Sequence, residues 1–191
     1  MNQQHLDLLG TVEWRDTLEQ LAFPFAFGPL GADALGDDVL EIGPGPGMTT
    51  DLLRVRVPRL TSIELDTALA AALRARLTGT NVEVVDGDAT AMPFDDGRFT
   101  GAVTFTMLHH VPTVELQDAM FRETLRVLRA GGVLVANDSV RSDELESFHV
   151  DDTYNPVDPT TLEARLAAMG YVDIEVAVNP FAWACRARRP S

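Results

Sequence analysis

The chain has 191 residues, 46% hydrophobic and 7% aromatic, enough to bury the core of one domain. Its formal net charge is −14 and every basic residue is an arginine, which argues against nucleic acid and anionic membrane surfaces, whose attraction rests on Lys and Arg. The single cysteine, Cys185, excludes an intrachain disulfide, and its neighbours Trp183 and Ala184 predict a buried, inert thiol.

The start, MNQQHLDLLG, lacks the basic region and apolar core of a signal peptide. No apolar run approaches the ~18 residues of a membrane span, so a cytoplasmic protein without membrane partners is expected. Trp14, Leu18, Leu21 and Phe25 recur at helical spacing on one face, and Pro24 with Phe25-Ala26-Phe27-Gly28-Pro29 is expected to end that helix. Residues 1–37 are therefore read as a helical lid region that docks on a core at 38–191 within a single domain. Trp14, Phe23, Phe25 and Phe27 are its candidates for lining a ligand pocket.

From residue 38 the pattern alternates. Strands are predicted at 38–42, 60–65, 82–85, 102–107 and 133–136, the last entered through a Gly131-Gly132 turn. Helices are predicted at 48–57 (stopped by Pro58), 67–77, 113–128, 142–149 and 160–169 (closed by Gly170). The last two strands, 171–178 and 181–187, are joined at Asn179-Pro180, too briefly for a parallel crossover, so they pair antiparallel. The fold class is α/β: a Rossmann-like, doubly wound, mostly parallel seven-stranded sheet with a C-terminal antiparallel hairpin. Arg186, Arg188 and Arg189 read as a solvated tail. In such sheets ligands bind at the carboxyl ends of the strands, which puts the loop after residue 42, Glu64, Asp88 and residues 104–110 along one rim.

That loop, Glu41-Ile42-Gly43-Pro44-Gly45-Pro46-Gly47, decides between ligands. A phosphate loop of the Walker type requires a lysine, and the chain has none. A dinucleotide fingerprint requires glycine where Met48 stands, with Gly47 one place early. The spacing [DE]-x-G-x-G-x-G matches at every position. Together with Ile63-Glu64-Leu65-Asp66, Asp86-Gly87-Asp88-Ala89, Thr106-Met107-Leu108-His109-His110-Val111 and Arg126-Val127-Leu128-Arg129-Ala130-Gly131-Gly132, it resembles the class I S-adenosylmethionine-dependent methyltransferases. The likeness is closest to the small-molecule branch of the ubiquinone and menaquinone type.

The resemblance implies S-adenosyl-L-methionine as cofactor and methyl transfer to a small, partly apolar acceptor by in-line displacement. Gly43, Pro44, Gly45 and Gly47 would approach the methionine end, and Glu41 would hold its ammonium or cap the loop. Glu64 would accept from both ribose hydroxyls, or stand as a strand-end acid. Asp88 and the Ala89 amide would meet the adenine, with Asp86 as substitute in a shifted register. Leu65 and Phe105, next to Thr104, would sandwich the base, and Asp66 would cap the next helix. The family's fourth strand begins Phe-Asp, whereas here it begins Phe99-Thr100.

His109 and His110 are the candidate catalytic residues, as a general base or as supports of the pocket. No metal site is expected: neighbouring strand residues point to opposite faces, and His149 with Asp151-Asp152 reads as a solvated loop. The natural partner is then a small molecule, and a homodimer is left open. Two other readings stand beside the enzyme: a non-catalytic regulatory or assembly protein that binds S-adenosylmethionine or S-adenosylhomocysteine, and a dehydrogenase.

Overall fold

The computed structural model describes residues 8–9 and 11–191. Most of the stretch on which the signal-peptide reading rests, residues 1–7 and 10, lies outside the described residues. The alternating pattern builds β1 (Asp38–Ile42), α3 (Met48–Leu53), β2 (Arg59–Glu64), α4 (Thr67–Arg76), β3 (Val82–Asp86) and β4 (Phe99–Phe105). There follow α5 (Val114–Val127), β5 (Leu128–Ser139), α6 (Asp143–Phe148), α7 (Pro159–Met169), β6 (Val172–Val178) and β7 (Ala182–Arg188). Upstream lie α1 (Val12–Thr17) and α2 (Phe23–Phe27), joined by a π-helical turn at Leu18–Ala22.

The seven strands form one sheet in the order β3-β2-β1-β4-β5-β7-β6. Strands β1 to β5 are parallel, and β7 inserts antiparallel between β5 and β6. Successive residues point to opposite faces. Leu40, Ile42, Ala102 and Leu134 thus enter one core cluster, and Val39, Val103, Val133 and Val135 another. Burial on both faces is why these strands read as continuous apolar runs. The order reverses between β1 and β4, which opens a crevice at their carboxyl ends.

Four expectations are corrected. The helix after the glycine loop stops at Leu53, short of Pro58. The Asn81 side-chain amide donates to the carbonyls of Arg54 at 2.9 Å and Val57 at 2.8 Å, which satisfies groups a longer helix would have used. Strand β5 begins at Leu128 and runs through Gly131-Gly132. A register shift against β4 between Phe99 and Gly101 absorbs the glycines as a bulge, with Gly131 at φ 73°.

The N-terminal helix passes Pro24 and ends at Gly28. Its π turn widens the spiral, and the Phe23 amide donates five residues back to the Leu18 carbonyl. The buried face rotates accordingly: Leu18, Phe23, Ala26 and Phe27 are buried, while Leu21 is 66% exposed.

Arg186 is no solvated tail residue; it lies 4% exposed on β7. Its guanidinium donates to Glu175 at 2.7 Å and to the carbonyls of Ala26 at 2.8 Å and Phe25 at 3.1 Å, the orphan acceptors at the end of α2. Arg188 and Arg189 likewise donate to the Gly131 carbonyl at 3.1 Å and the Arg126 carbonyl at 2.8 Å. Cys185 is buried, and burial pushes its thiol up to about 12, as expected of an inert residue. Thr100 takes a structural place at the start of β4, accepting from the Asp38 amide at 3.1 Å and donating to the Leu35 carbonyl at 2.6 Å. Among the described residues no helix is long and apolar enough to cross a membrane.

Candidate active site

A cleft of about 620 Å³ runs along the carboxyl edge of β3, β2, β1 and β4. The glycine loop forms its floor. Gly43, at φ 68°, sits so close to Met107 that a Cβ would collide with that side chain. Gly45, at φ 53°, turns its amide onto Glu64, whose Oε2 accepts at 2.9 Å. The other Glu64 oxygen accepts from the Asp66 amide at 3.0 Å. Two neighbouring backbone amides therefore fix this carboxylate at the end of β2, 8% exposed. Asp66 is bound as a helix cap, accepting from the amides of Ala68 and Leu69 at 2.8 and 3.0 Å.

Gly43, Pro44, Gly45, Glu64, Leu65, Asp88, Ala89, Phe105 and His110 all line this cleft. Asp88 accepts from both the amide and the hydroxyl of Thr90 at 2.8 Å, a turn that presents it at the mouth; Asp86 does not line the space. Leu65 is 70% exposed at the opening. Phe105 stacks on Phe23 with ring centroids 4.7 Å apart. It lies on β4, two strands from Leu65 across β1, about 10 Å at the usual strand spacing. The structure thus puts Leu65 and Phe105 in one cleft.

Gly47, Glu41, Thr104 and His109 do not line the cleft. Gly47 caps α3 at φ 92°. Thr104 is fully buried on β4. Glu41 lies beneath the loop, where its Oε2 accepts from the hydroxyls of Thr50 and Ser62, both at 2.7 Å. Among the described residues its other oxygen is buried without a hydrogen bond of ordinary geometry, although the Thr49 side chain also favours the carboxylate. Burial drives the Glu41 carboxyl above the usual range, against the hydroxyl bonds that favour its charge.

The β4 rim differs from the sequence reading. His109 and His110 stand on a 3-10 turn, Leu108–His110, after the strand has ended. His109 is 4% exposed, and Asp138, at the end of β5, binds it twice: Oδ1 lies 2.7 Å from Nδ1, and Oδ2 accepts from the His109 amide at 3.0 Å. Burial opposes the imidazolium, but the Asp138 carboxylate outweighs it and raises the His109 pKa; the same contact holds the Asp138 carboxyl below its usual value despite burial. His110 faces the cleft, with Nδ1 3.8 Å from Asp152.

Sequence reasoning missed Asp138, and it named Thr106 only inside a motif and Asp152 only in a solvated loop. Thr106 leaves β4 at φ 49°, an unusual conformation for a branched residue, and lines the cleft. Asn155 pins the segment after α6 to this rim: its amide donates to the His109 carbonyl at 2.7 Å and its side chain to the Val111 carbonyl at 3.0 Å. No short motif announces these contacts; an asparagine in a long loop beside a second rim was the available signal. Of the N-terminal aromatics only Trp14 lines the cleft, together with Leu9 and Leu18.

Comparison with known proteins agrees with this geometry. Residues 40–136, about half of the chain, match the family described as methyltransferase domain. A probable ribosomal RNA small subunit methyltransferase A of Thermococcus onnurineus is 43% identical over 60 residues, 31% of this chain and 22% of that protein. A probable S-adenosylmethionine-dependent methyltransferase of Mycolicibacterium smegmatis is 32% identical over 102 residues, 53% of this chain and 38% of that protein. The chain thus spans well under half the length of these curated relatives.

Among solved structures, the PH0226 protein of Pyrococcus horikoshii superposes with a TM-score of 0.77 at 16% identity, over 99% of this chain and all of that one. A phosphoethanolamine N-methyltransferase 2 of Haemonchus contortus, bound to S-adenosylhomocysteine, superposes with a TM-score of 0.74 at 17% identity, over 91% of this chain and 52% of that one. The ribosomal RNA relatives overturn one expectation: a net charge of −14 does not exclude a nucleic-acid partner. Net charge sums over the whole surface and does not describe the face that meets an acceptor. By the extent of the family match, the chain belongs to the methyltransferase-domain family.

Proposed function

We propose that the cleft binds S-adenosylmethionine and that the chain transfers its methyl group to an acceptor entering beside His110 and Thr153. One observation carries the reading: Glu64 is fixed at the cleft by two backbone amides, through both of its oxygens. An ionised carboxylate has about four acceptor sites, so two stay available, the number needed by the paired hydroxyls of a ribose. The methionine end then lies on the Gly43–Gly47 loop, with Glu41 beneath it offering a buried oxygen toward an ammonium. The adenine lies toward Asp88, Ala89 and Leu65. The relatives' names and the S-adenosylhomocysteine held by the Haemonchus neighbour support the same cofactor.

A sulfonium is a strong methyl donor, so the protein's contribution is to align the acceptor behind the methyl and keep water out. Trp14 and Leu18 of the N-terminal region cover the cleft from one side, as a lid on the core that starts at residue 38. Of the two histidines only His110 reaches the cleft, so it is placed to take a proton from an acceptor that starts protonated; His109 is turned to Asp138 and positions the rim. The remaining lining by Leu116, Met120 and Val111 favours a small, partly apolar acceptor.

The test is incubation with methyl-labelled S-adenosylmethionine and cell extract, followed by separation into small-molecule, RNA and protein fractions. Label in the small-molecule fraction is expected. Label in RNA alone would end the small-acceptor reading, and cofactor binding without transfer to any fraction would end the enzymatic one.

A further inference from the structure

The geometry points to a divalent transition-metal site formed by His109, His110 and His149 at the acceptor end of the cleft. His109 and His110 do not stand on a strand, where neighbouring side chains would face opposite ways. On a 3-10 turn neighbouring side chains diverge by about 120°, not 180°, and the two rings share one space, with centroids 4.2 Å apart. His149 arrives from just beyond α6, because Asn155 ties that segment to the His109 and Val111 carbonyls. One ligand nitrogen from each of the three imidazoles lies within 4.8 Å of the others. Nitrogens around a tetrahedral zinc, at about 2.1 Å from the metal, stand about 3.4 Å apart, so ring rotations closing about an ångström complete the set.

The surroundings orient the rings for this role. His149 Nδ1 lies 2.6 Å from the Leu145 carbonyl, which can only accept, so the proton sits on Nδ1 and Nε2 is the nitrogen of ligating character. His109 Nδ1 meets the Asp138 carboxylate at 2.7 Å, which fixes that ring the same way. A carboxylate or carbonyl behind a ligating histidine is the common outer partner in metal sites. Asp152, brought next to His149 by a turn in which its amide donates to the His149 carbonyl at 2.9 Å, lines the cleft with His110. Of the three histidines His110 is the one that lines the cleft, so an acceptor heteroatom or water would reach the metal from that side. Three imidazoles select zinc, cobalt, nickel or copper over magnesium or calcium. With a metal bound, His110 is a ligand, and an acceptor group coordinated to the metal loses its proton more readily to water.

The site can be tested without reference to methyl transfer. Protein carrying no histidine tag is stripped with a chelator and titrated with Zn²⁺ by calorimetry and with Co²⁺ by visible absorption, alongside S-adenosylhomocysteine. One Zn²⁺ per chain and the intense visible bands of a four- or five-coordinate Co²⁺ are expected. His149→Gln should weaken Zn²⁺ binding at least tenfold, and Asp138→Asn about 10–100-fold, the scale for outer partners. Absence of stoichiometric Zn²⁺ binding, weak six-coordinate Co²⁺ bands, or unchanged affinity in both variants would overturn the assignment. Should the variants not fold, the Co²⁺ spectrum of the unaltered chain decides. A chain that binds Zn²⁺ but not S-adenosylhomocysteine would sink the methyl-donor reading and leave the metal site standing.

Discussion

The two rims of the cleft are built on different principles. At the ends of β1, β2 and β3 the polar groups are held by neighbours in the chain or by the next strand: Glu64 by the amides of Gly45 and Asp66, Asp88 by Thr90. At the end of β4 every important contact crosses a long sequence separation: Asp138 reaches back 29 residues to His109, and the Asn155 side chain 44 residues to Val111. The first rim forms wherever the strand–loop–helix units form. The second exists only once β5 and the segment after α6 have docked. On the function proposed above, donor chemistry would reside in the local rim and the choice of acceptor in the assembled one.

Substitutions can separate the two. Asp138→Ala should have the largest effect, a loss of about 3–5 kcal/mol in unfolding free energy by urea titration. It strips the acceptor from the His109 imidazole, the His109 amide and the Ser139 amide inside a buried site. S-adenosylhomocysteine affinity should stay within about twofold, and a collapse of that affinity in a folded variant would erase the distinction between the rims. Glu64→Ala should do the reverse, weakening S-adenosylhomocysteine by about 1–3 kcal/mol in calorimetry, the scale of hydrogen bonds to a charged group. Unchanged binding in the folded variant would remove Glu64 from the cofactor site.

Glu41→Gln should have the smallest effect, and one that depends on pH. Burial raises the Glu41 carboxyl above 4.5 in the folded chain. The folded state therefore binds this proton more tightly than the unfolded state. The stability tied to it is fully present below about 4.5, the unfolded value, and is lost as pH rises through the higher folded value. Glutamine keeps an oxygen for Thr50 and Ser62 without the charge. The original chain should lose stability relative to the variant between acidic and neutral pH; parallel lines in urea denaturation at the two pH values would contradict this.

The contrast between the rims also explains what could be read from residues alone. The sheet, its hairpin and the glycine loop were legible because they rest on periodicity and on glycines at fixed spacing. Asp66 as a cap was legible because a cap is a contact over two or three residues. The strand before His109-His110 was carried too far because Thr106 breaks it at a positive φ that a branched residue rarely adopts. Arg186 was misread because composition sees an arginine near the end of the chain and cannot see the carbonyls of α2 waiting for it. The breadth of possible acceptors was misjudged because net charge was asked a question about one face.

The π turn at Leu18–Ala22 has a consequence for how this chain could diverge. A single added residue advances an α-helix by about 100°. The wide turn lets the segment before it aim Trp14 at the cleft while the segment after it seats Phe23 and Phe27 on Phe105. Its aromatic anchor and its cleft-facing side are thus out of phase with each other. A one-residue insertion or deletion there would re-aim Trp14 like a turned dial while the anchor stayed seated, altering what the cleft admits without touching the glycine loop or Glu64.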